Sequence, residues 1–355
     1  MSNARNLSNL LGTETQVTTA DIADEVFQAN RNLIINGSMI CSQRGTSLTG
    51  QGASSIFLLD RFRMNTNGAS AGRYTITQTA DGPSGFANCL KLDVTTADTS
   101  IAAGERLFIE HPFEGQNLQS IAKGTSDAQS LTLSFYVKGN AAATYVAGFY
   151  DNDNNRQVSK QFAVTTSWNR ITLTFPPDTA GALDDDNALS MQLRFYLHAG
   201  SNYTSGTISE TWIAADGTKS VGSGTTSIFD STSRTFFITG VQLEIGETAT
   251  PFEHRSYGDE LQGCGRYYQK WADVNWILGV EGTRNSKLPF QFSTIMRANP
   301  ACTISGGSAA NGALAGTGVT DAKKEMVCLF FWRGVSGGLV NATFAAYTLV
   351  ADSEL

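Results

Sequence analysis

Charge is scarce in this chain. Asp, Glu, Lys and Arg make up 16% of its 355 residues, against about 25% in an average soluble protein. Lys and Arg number 25 against 32 Asp and Glu, for a net charge of −7, and the longest cationic cluster is Lys323-Lys324. An electrostatic nucleic-acid binder needs a basic face, so nucleic acid is excluded as a partner. Apolar runs are short as well. None reaches the roughly 18 residues a membrane span needs, so no membrane insertion is expected. The opening segment 1–16 lacks the apolar core of a secretion signal, which predicts a protein made and assembled in a cytoplasm. Histidine is rare, at 3 residues, and the 5 cysteines include no Cys-x-x-Cys pair, which excludes the usual zinc spacings. Cys41, Cys89, Cys264, Cys302 and Cys328 sit in apolar or strand-like sequence and read as buried small hydrophobes. There is no G-x-S-x-G elbow, no P-loop, and no G-x-G-x-x-G opening a helix.

Hydrophobic residues, at 41%, suffice for a core, and the 35 glycines accompany abundant Ser and Thr. Polarity comes from hydroxyls and amides. Residues 31–250 read as β throughout: alternating or apolar segments at 33–39, 56–65, 73–79, 89–95, 105–113, 130–138, 144–150, 157–164, 169–175, 189–197 and 234–245, separated by turn-rich stretches such as Asp81-Gly82-Pro83 and Lys138-Gly139-Asn140. In 130–138 the apolar residues Leu131, Leu133, Phe135 and Val137 share one face, because strand side chains alternate. This many strands predicts an antiparallel jelly-roll sandwich rather than an immunoglobulin-like domain of about seven strands. Residues 200–233 read as a long insertion. Residues 251–262 are a connector. Residues 263–355 form a smaller C-terminal β domain, with strands expected at 266–271, 289–297, 301–305, 326–333 and 342–350 and a Gly/Ala-rich loop at 306–318. Residues 1–30 form an extended or helical arm whose Leu7, Leu10, Leu11, Ile22 and Val26 are too few to bury themselves and so seek a partner surface. The class is all-β, and the composition favours an extracellular or virion-like setting over a cytosolic helical one.

Three groups of residues carry candidate chemistry. Asp151, Asp153 and Asn155 alternate oxygen ligands as a calcium loop does, yet the Gly and Glu of an EF-hand are not at their offsets; solvated hairpin turns are the preferred reading, a structural calcium is the minority one, and no other cofactor is considered. Tyr203, Trp212 and Trp168 lie in loops, where an aromatic ring can stack on a sugar face while amides and carboxylates hydrogen-bond its hydroxyls; they also read as half-buried anchors. Glu105, Glu110 and Glu114 lie in one segment and read as ordinary strand residues, so no enzymatic activity is expected.

Asn32-Leu33-Ile34-Ile35-Asn36-Gly37-Ser38-Met39, Gln43-Arg44-Gly45-Thr46-Ser47 and Asp60-Arg61-Phe62 resemble the opening NLIxNGxM…QRGTS…DRW of tailed-bacteriophage fibre and appendage proteins, with Phe62 in place of Trp. Residues 238–253 resemble the last strand of the same domain. Glu260-Leu261-Gln262-Gly263-Cys264-Gly265-Arg266-Tyr267-Tyr268-Gln269-Lys270 resembles ELxxCQRYYxK, Met296-Arg297-Ala298-Asn299-Pro300 resembles MRxxP, and Ala351-Asp352-Ser353-Glu354-Leu355 resembles a short acidic ending. The resemblance brackets residues 32–355. It implies a virion component with a jelly roll like those of carbohydrate-binding modules, commonly a homotrimer joined to other head or tail proteins and directed at host-surface glycan. It carries over no catalytic residue. Two rivals stand beside this expectation: a purely structural capsid or tail decoration protein, and a glycan depolymerase.

Overall fold

A computed structural model of the protein describes residues 30–68, 70–280, 286–310, 314–333 and 340–355. The docking residues Leu7, Leu10, Leu11, Ile22 and Val26 therefore lie outside the described residues. In chain order the strands of the first unit are β1 (Ser47–Gln51), β2 (Ile56–Phe57), β3 (Arg63–Asn67), β4 (Arg73–Thr79), β5 (Cys89–Thr96), β6 (Arg106–Glu114), β7 (Leu131–Gly139), β8 (Ala143–Asp151), β9 (Arg156–Val164), β10 (Asn169–Phe175), β11 (Leu189–Ala199), β12 (Ile213–Ala214) and β13 (Thr235–Ile245). They form a six-stranded sheet in the order β1-β4-β5-β13-β7-β10 and a seven-stranded sheet in the order β12-β9-β8-β11-β6-β3-β2. Every pairing described is antiparallel. The protein is an all-β, jelly-roll-like sandwich with smaller C-terminal sheets.

Alternation builds the core. Leu131, Leu133, Phe135 and Val137 of β7 face Met191, Leu193, Phe195 and Leu197 of β11 across one continuous apolar cluster. Phe135 packs edge-on against Phe195 at 5.0 Å and against Phe162 at 5.0 Å, an arrangement that suits the ring quadrupoles. Because one face of each sheet is committed to this cluster, register is fixed, and the even-numbered residues of β6 and β8, with Gln192, Arg194 and Tyr196 of β11, point outward.

Three segments depart from the expected pattern. Residues 33–39 form no strand. Asn36 (φ 63°) and Met39 (φ 59°) turn the backbone back, and Gly37 lies so close to Val241 that a Cβ there would sit 2.1 Å from its carbonyl oxygen. The turn is pinned to β13 by Leu33 N–H to Leu243 O and Val241 N–H to Gly37 O, both 2.9 Å. Residues 56–65 break into β2 and β3 around Arg61 (φ 69°). The connector contains a helix: after α1 (Ser201–Thr204) in the insertion, α2 (Tyr257–Gly265) starts at Ser256, whose hydroxyl accepts from Asp259 N–H at 3.2 Å, a normal N-cap. Among the described residues no helix is long and apolar enough to cross a membrane.

The C-terminal strands are β14 (Tyr268–Val280), β15 (Ser286–Gln291), β16 (Ala301–Ala310), β17 (Leu314–Thr320), β18 (Met326–Arg333) and β19 (Val340–Asp352), in two three-stranded sheets, β14-β19-β16 and β15-β18-β17. The expected loop at 306–318 is mostly strand. Gly306 pairs with Tyr347 and Ser308 with Ala345; the small residues have weak intrinsic strand preference, and pairing to the long β19 overrides it. Gly307 is required at its position, because a Cβ would meet the Tyr347 ring at 2.5 Å. Strand β15 ends at Gln291, short of the expected residue 297.

The two units are joined by arginines. Arg44 donates to Asp60 at 3.1 Å and pairs with Asp352 and Glu354, each at 3.4 Å, while its guanidinium lies 3.6 Å over the Tyr268 ring. Arg61 pairs with Glu354, donates to Pro112 O at 2.5 Å, and lies 3.4 Å over Tyr267. Arg266 grips Glu114 with two bonds of 2.8 and 2.6 Å. Arg297 donates to Ser353 O at 2.9 Å and Asn187 O at 2.8 Å. A planar guanidinium serves such sites because it stacks and forks at once.

Candidate functional site

The outer face of the seven-stranded sheet carries three cross-strand rows. Register places Arg63 (β3) opposite Glu110 (β6), Glu110 opposite Arg194 (β11), Arg194 opposite Gly148 (β8), and Gly148 opposite Ser159 (β9). The row on one side runs Asn65, Phe108, Tyr196, Val146 and Gln161; that on the other runs Pro112, Gln192, Tyr150 and Gln157. Neighbours on such rows lie within side-chain reach. Glycine is required at position 148 of the central row, because a Cβ there would meet Ser159 Oγ at 2.4 Å and Val158 O at 2.5 Å.

The side chains are held before any ligand arrives. Arg194 lies 4.1 Å over the Tyr150 ring and 5.1 Å over Phe108, and donates to Gln192 Oε1 at 2.7 Å and Tyr196 Oη at 3.2 Å. Glu110 is fully buried, paired with Arg63 and accepting from Asn65 Nδ2 at 3.1 Å. Both ends of the face are covered. At one end Phe108, Val146 and Tyr196 pack under Val221, Tyr203 and Ile208 of the insertion. At the other, Glu114 lies under Arg266. Burial pushes the Glu114 carboxyl up, but its bonds from Arg266 and Tyr267 and the guanidinium charge outweigh this and hold it below its usual range. Between the covers Arg63, Asn65, Tyr150 and Arg194 remain part-exposed. The result is a strip of sheet surface between two covers, here called the groove, that carries guanidinium, amide and phenol groups.

Of the aromatic residues singled out from sequence, Tyr203 belongs to this neighbourhood. Its ring lies 4.8 Å from the Arg106 guanidinium and roofs one end of the groove, half-buried rather than presented flat to solvent. Trp212 packs on the sandwich core, stacked 6.4 Å from Phe149, with its indole N–H donating to Pro176 O at 3.0 Å. Trp168 sits elsewhere, edge-on to Phe237 at 6.1 Å and 5.2 Å from Lys138 Nζ. The three do not converge. Sequence reasoning passed over Arg63, Asn65, Tyr150, Gln192 and Arg194. Their outward alternation on strands was visible, but only register brings them into adjacent rows.

The oxygen-rich loop holds a cation of its own. Lys123 Nζ lies 2.5 Å from Asp151 Oδ2, 3.0 Å from Asp178 Oδ2, 3.0 Å from Ala180 O and 2.7 Å from Gly181 O. Asp153 instead accepts from Asp184 N–H at 3.0 Å, and Asn155 accepts from the Tyr150 hydroxyl. Asp151, Asp153 and Asn155 are thus not brought together as calcium ligands. Among the described residues no group of three or more His, Cys, Asp and Glu side chains is placed to hold a metal ion.

No known protein family matches the chain, and no curated protein matches it. Solved structures with some likeness include the enzymatically active domain of a tailspike protein of bacteriophage CBA120, at TM-score 0.31 and 13% identity, covering 61% of this chain and 21% of that one. A family 11 carbohydrate-binding module from Clostridium thermocellum in complex with a β-1,3-1,4-mixed-linked tetrasaccharide gives TM-score 0.30 and 11% identity over 58% of this chain and 98% of that one. The CBM22-1 xylan-binding domain of Paenibacillus barcinonensis Xyn10C gives 0.29 and 12% over 63% and 100%.

Proposed function

We propose that the chain is a virion appendage protein of a tailed phage that binds host-surface glycan in the groove on its seven-stranded sheet. The groove carries the reading: Arg63, Asn65, Tyr150, Gln192 and Arg194 are fixed by register and by one another, so little side-chain freedom is lost when hydroxyls replace water around them. Neutral sugars are rich in paired hydroxyls and weakly hydrophobic C–H faces, which amides, a guanidinium and aromatic rings match. Glu110 is occupied by Arg63 and Asn65, so the groove is read as holding glycan without cleaving it. The appendage role rests on the resemblance of residues 32–355 to fibre proteins. Arg44, Asp60, Arg61, Arg266, Arg297 and Glu354, which fall within that resemblance, meet in one joint, giving those segments a shared structural purpose. On this reading the arm 1–30 docks to head or tail proteins, three copies assemble, and weak single sites add through multivalency.

The test is an array of bacterial surface glycans probed with the purified chain. Retention of a defined glycan is expected. Arg194→Ala lowers the affinity about tenfold or more, as loss of a charged hydrogen bond of about 1.5–3 kcal/mol requires, with the melting temperature little changed. Silence across the array favours a decoration protein instead, and release of shorter saccharides favours a depolymerase.

A further inference from the structure

Away from the groove, β11 is irregular between Tyr196 and His198, and such irregularities re-aim side chains. His198 is 2% exposed and Glu105 4%. Glu105 Oε2 lies 3.2 Å from His198 Nε2, and Ser227 Oγ lies 2.8 Å from His198 Nδ1. The carboxylate takes the hydrogen on Nε2, which leaves the Nδ1 lone pair to accept the Ser227 hydroxyl hydrogen. The Phe229 ring closes on the imidazole at 5.1 Å, and Phe229 N–H donates to Ser227 Oγ at 3.1 Å, fixing the serine rotamer. Burial lowers the His198 pKa against the opposing pull of Glu105, so the ring is held neutral, with a lone pair free to take a proton. Asp98, the other carboxylate acting on the ring, is spent on Ser70 Oγ and Ala71 N–H, both at 2.8 Å, and on Ser100 N–H at 3.1 Å.

Ser227 also lines a cavity of about 280 Å³, with Ile101, Ala199, Thr204, Gly224 and Thr226 around it. Hydroxyl, base and acid thus stand in line, with the half-buried Ser227 on the cavity wall and the other two buried behind it. Pinning the loop alone does not call for this order, since the bond to Phe229 N–H already caps the turn.

We propose that Ser227 is an acyl-accepting nucleophile, with His198 its general base and Glu105 a positioning residue, acting on short-chain acyl esters of hydroxyl-bearing molecules. The cavity is small and hydroxyl-lined, which suits a small acyl group on such a carrier. Ser227 Oγ bonds to the ester carbonyl carbon as its proton passes to His198 Nδ1. The ester C–O bond then breaks, and the departing alcohol takes that proton. Water repeats the attack with the same base, releasing the carboxylic acid and restoring the serine. This activity goes beyond the binding role proposed above and does not depend on it. It replaces, at this one site, the expectation of a protein without enzymatic activity.

The test uses the full chain and diisopropyl fluorophosphate at neutral pH, with the modified residue located by peptide mass mapping and 4-nitrophenyl acetate as the turnover probe. One adduct is expected, on Ser227, and it abolishes release of 4-nitrophenol; Ser227→Ala removes both signals. His198→Gln slows labelling about 100-fold. Glu105→Gln moves the acid limb of the labelling profile to lower pH, because the carboxylate no longer raises the imidazole. An unmodified Ser227 in the folded wild-type chain overturns the proposal, and that result stands even where the buried variants fail to fold. Equal labelling of a folded His198→Gln variant also overturns it, and an unmoved acid limb removes Glu105 from its role.

Discussion

Asp60 and Glu114 respond to pH in opposite senses. Burial lifts the Asp60 carboxyl from 3.8 to about 6, with the Gln43 bond and Arg44 pulling against it. A raised carboxyl stabilises the fold below its unfolded value, and that stability is lost as pH climbs through the folded value. The advantage of wild type over Asp60→Asn therefore shrinks between pH 3.8 and about 6. Glu114 is held low, so its stability is present above the usual carboxylate range and disappears as pH falls. The advantage of wild type over Glu114→Gln grows as pH rises toward the ordinary value of 4.5 and is complete above it. Urea midpoints across this range check both slopes, and slopes of the same sign for the two variants contradict the assignment. Neither behaviour was legible in sequence, where Glu114 read as an ordinary strand residue and Asp60 stood only in the Asp60-Arg61-Phe62 resemblance. Their partners Arg44 and Arg266 become partners only through long-range contact.

The Asp151–Asn155 turn gains its order from a lysine. Lys123 is buried with Asp151 and Asp178, and removing one partner of a buried ionic cluster typically costs about 3–5 kcal/mol. Lys123→Ala is expected to lose that much in chemical unfolding, while millimolar calcium leaves the wild-type melting temperature unchanged because the ammonium already sits among the oxygens. A calcium-dependent rise in the wild-type melting temperature contradicts this. At this scale the sequence was most readable where strands alternate around one core, as in β7, β8 and β11. It was least readable where tertiary contacts replace local preference. Residues 33–39 look like a strand by composition, but Asn32 Oδ1 accepts from Ile34 N–H and Leu243 N–H, each at 3.0 Å, and bends the segment onto β13. Residues 306–310 look like a loop, but β19 pairs them.

The joint between sandwich and C-terminal sheets concentrates charge in a chain that has little of it. Arg61 is fully buried there, with its charge on Glu354 and its face on Tyr267. Arg61→Met removes the ion pair and the donor to Pro112 O, and is expected to separate a single unfolding transition into two, read by calorimetry as distinct peaks. One undivided transition at the wild-type temperature contradicts a mechanical role for the joint. Holding that joint rigid keeps Arg266 over Glu114, and so keeps one end of the groove closed. Glycan occupancy of the groove is tested most directly by hydrogen exchange on the full chain, with and without the glycan retained on the array. Slowed exchange is expected in 63–66, 106–111, 146–151 and 192–197 together, the four strands that share the rows. Protection confined to the surroundings of Trp168, or absent from these strands at saturating glycan, contradicts it.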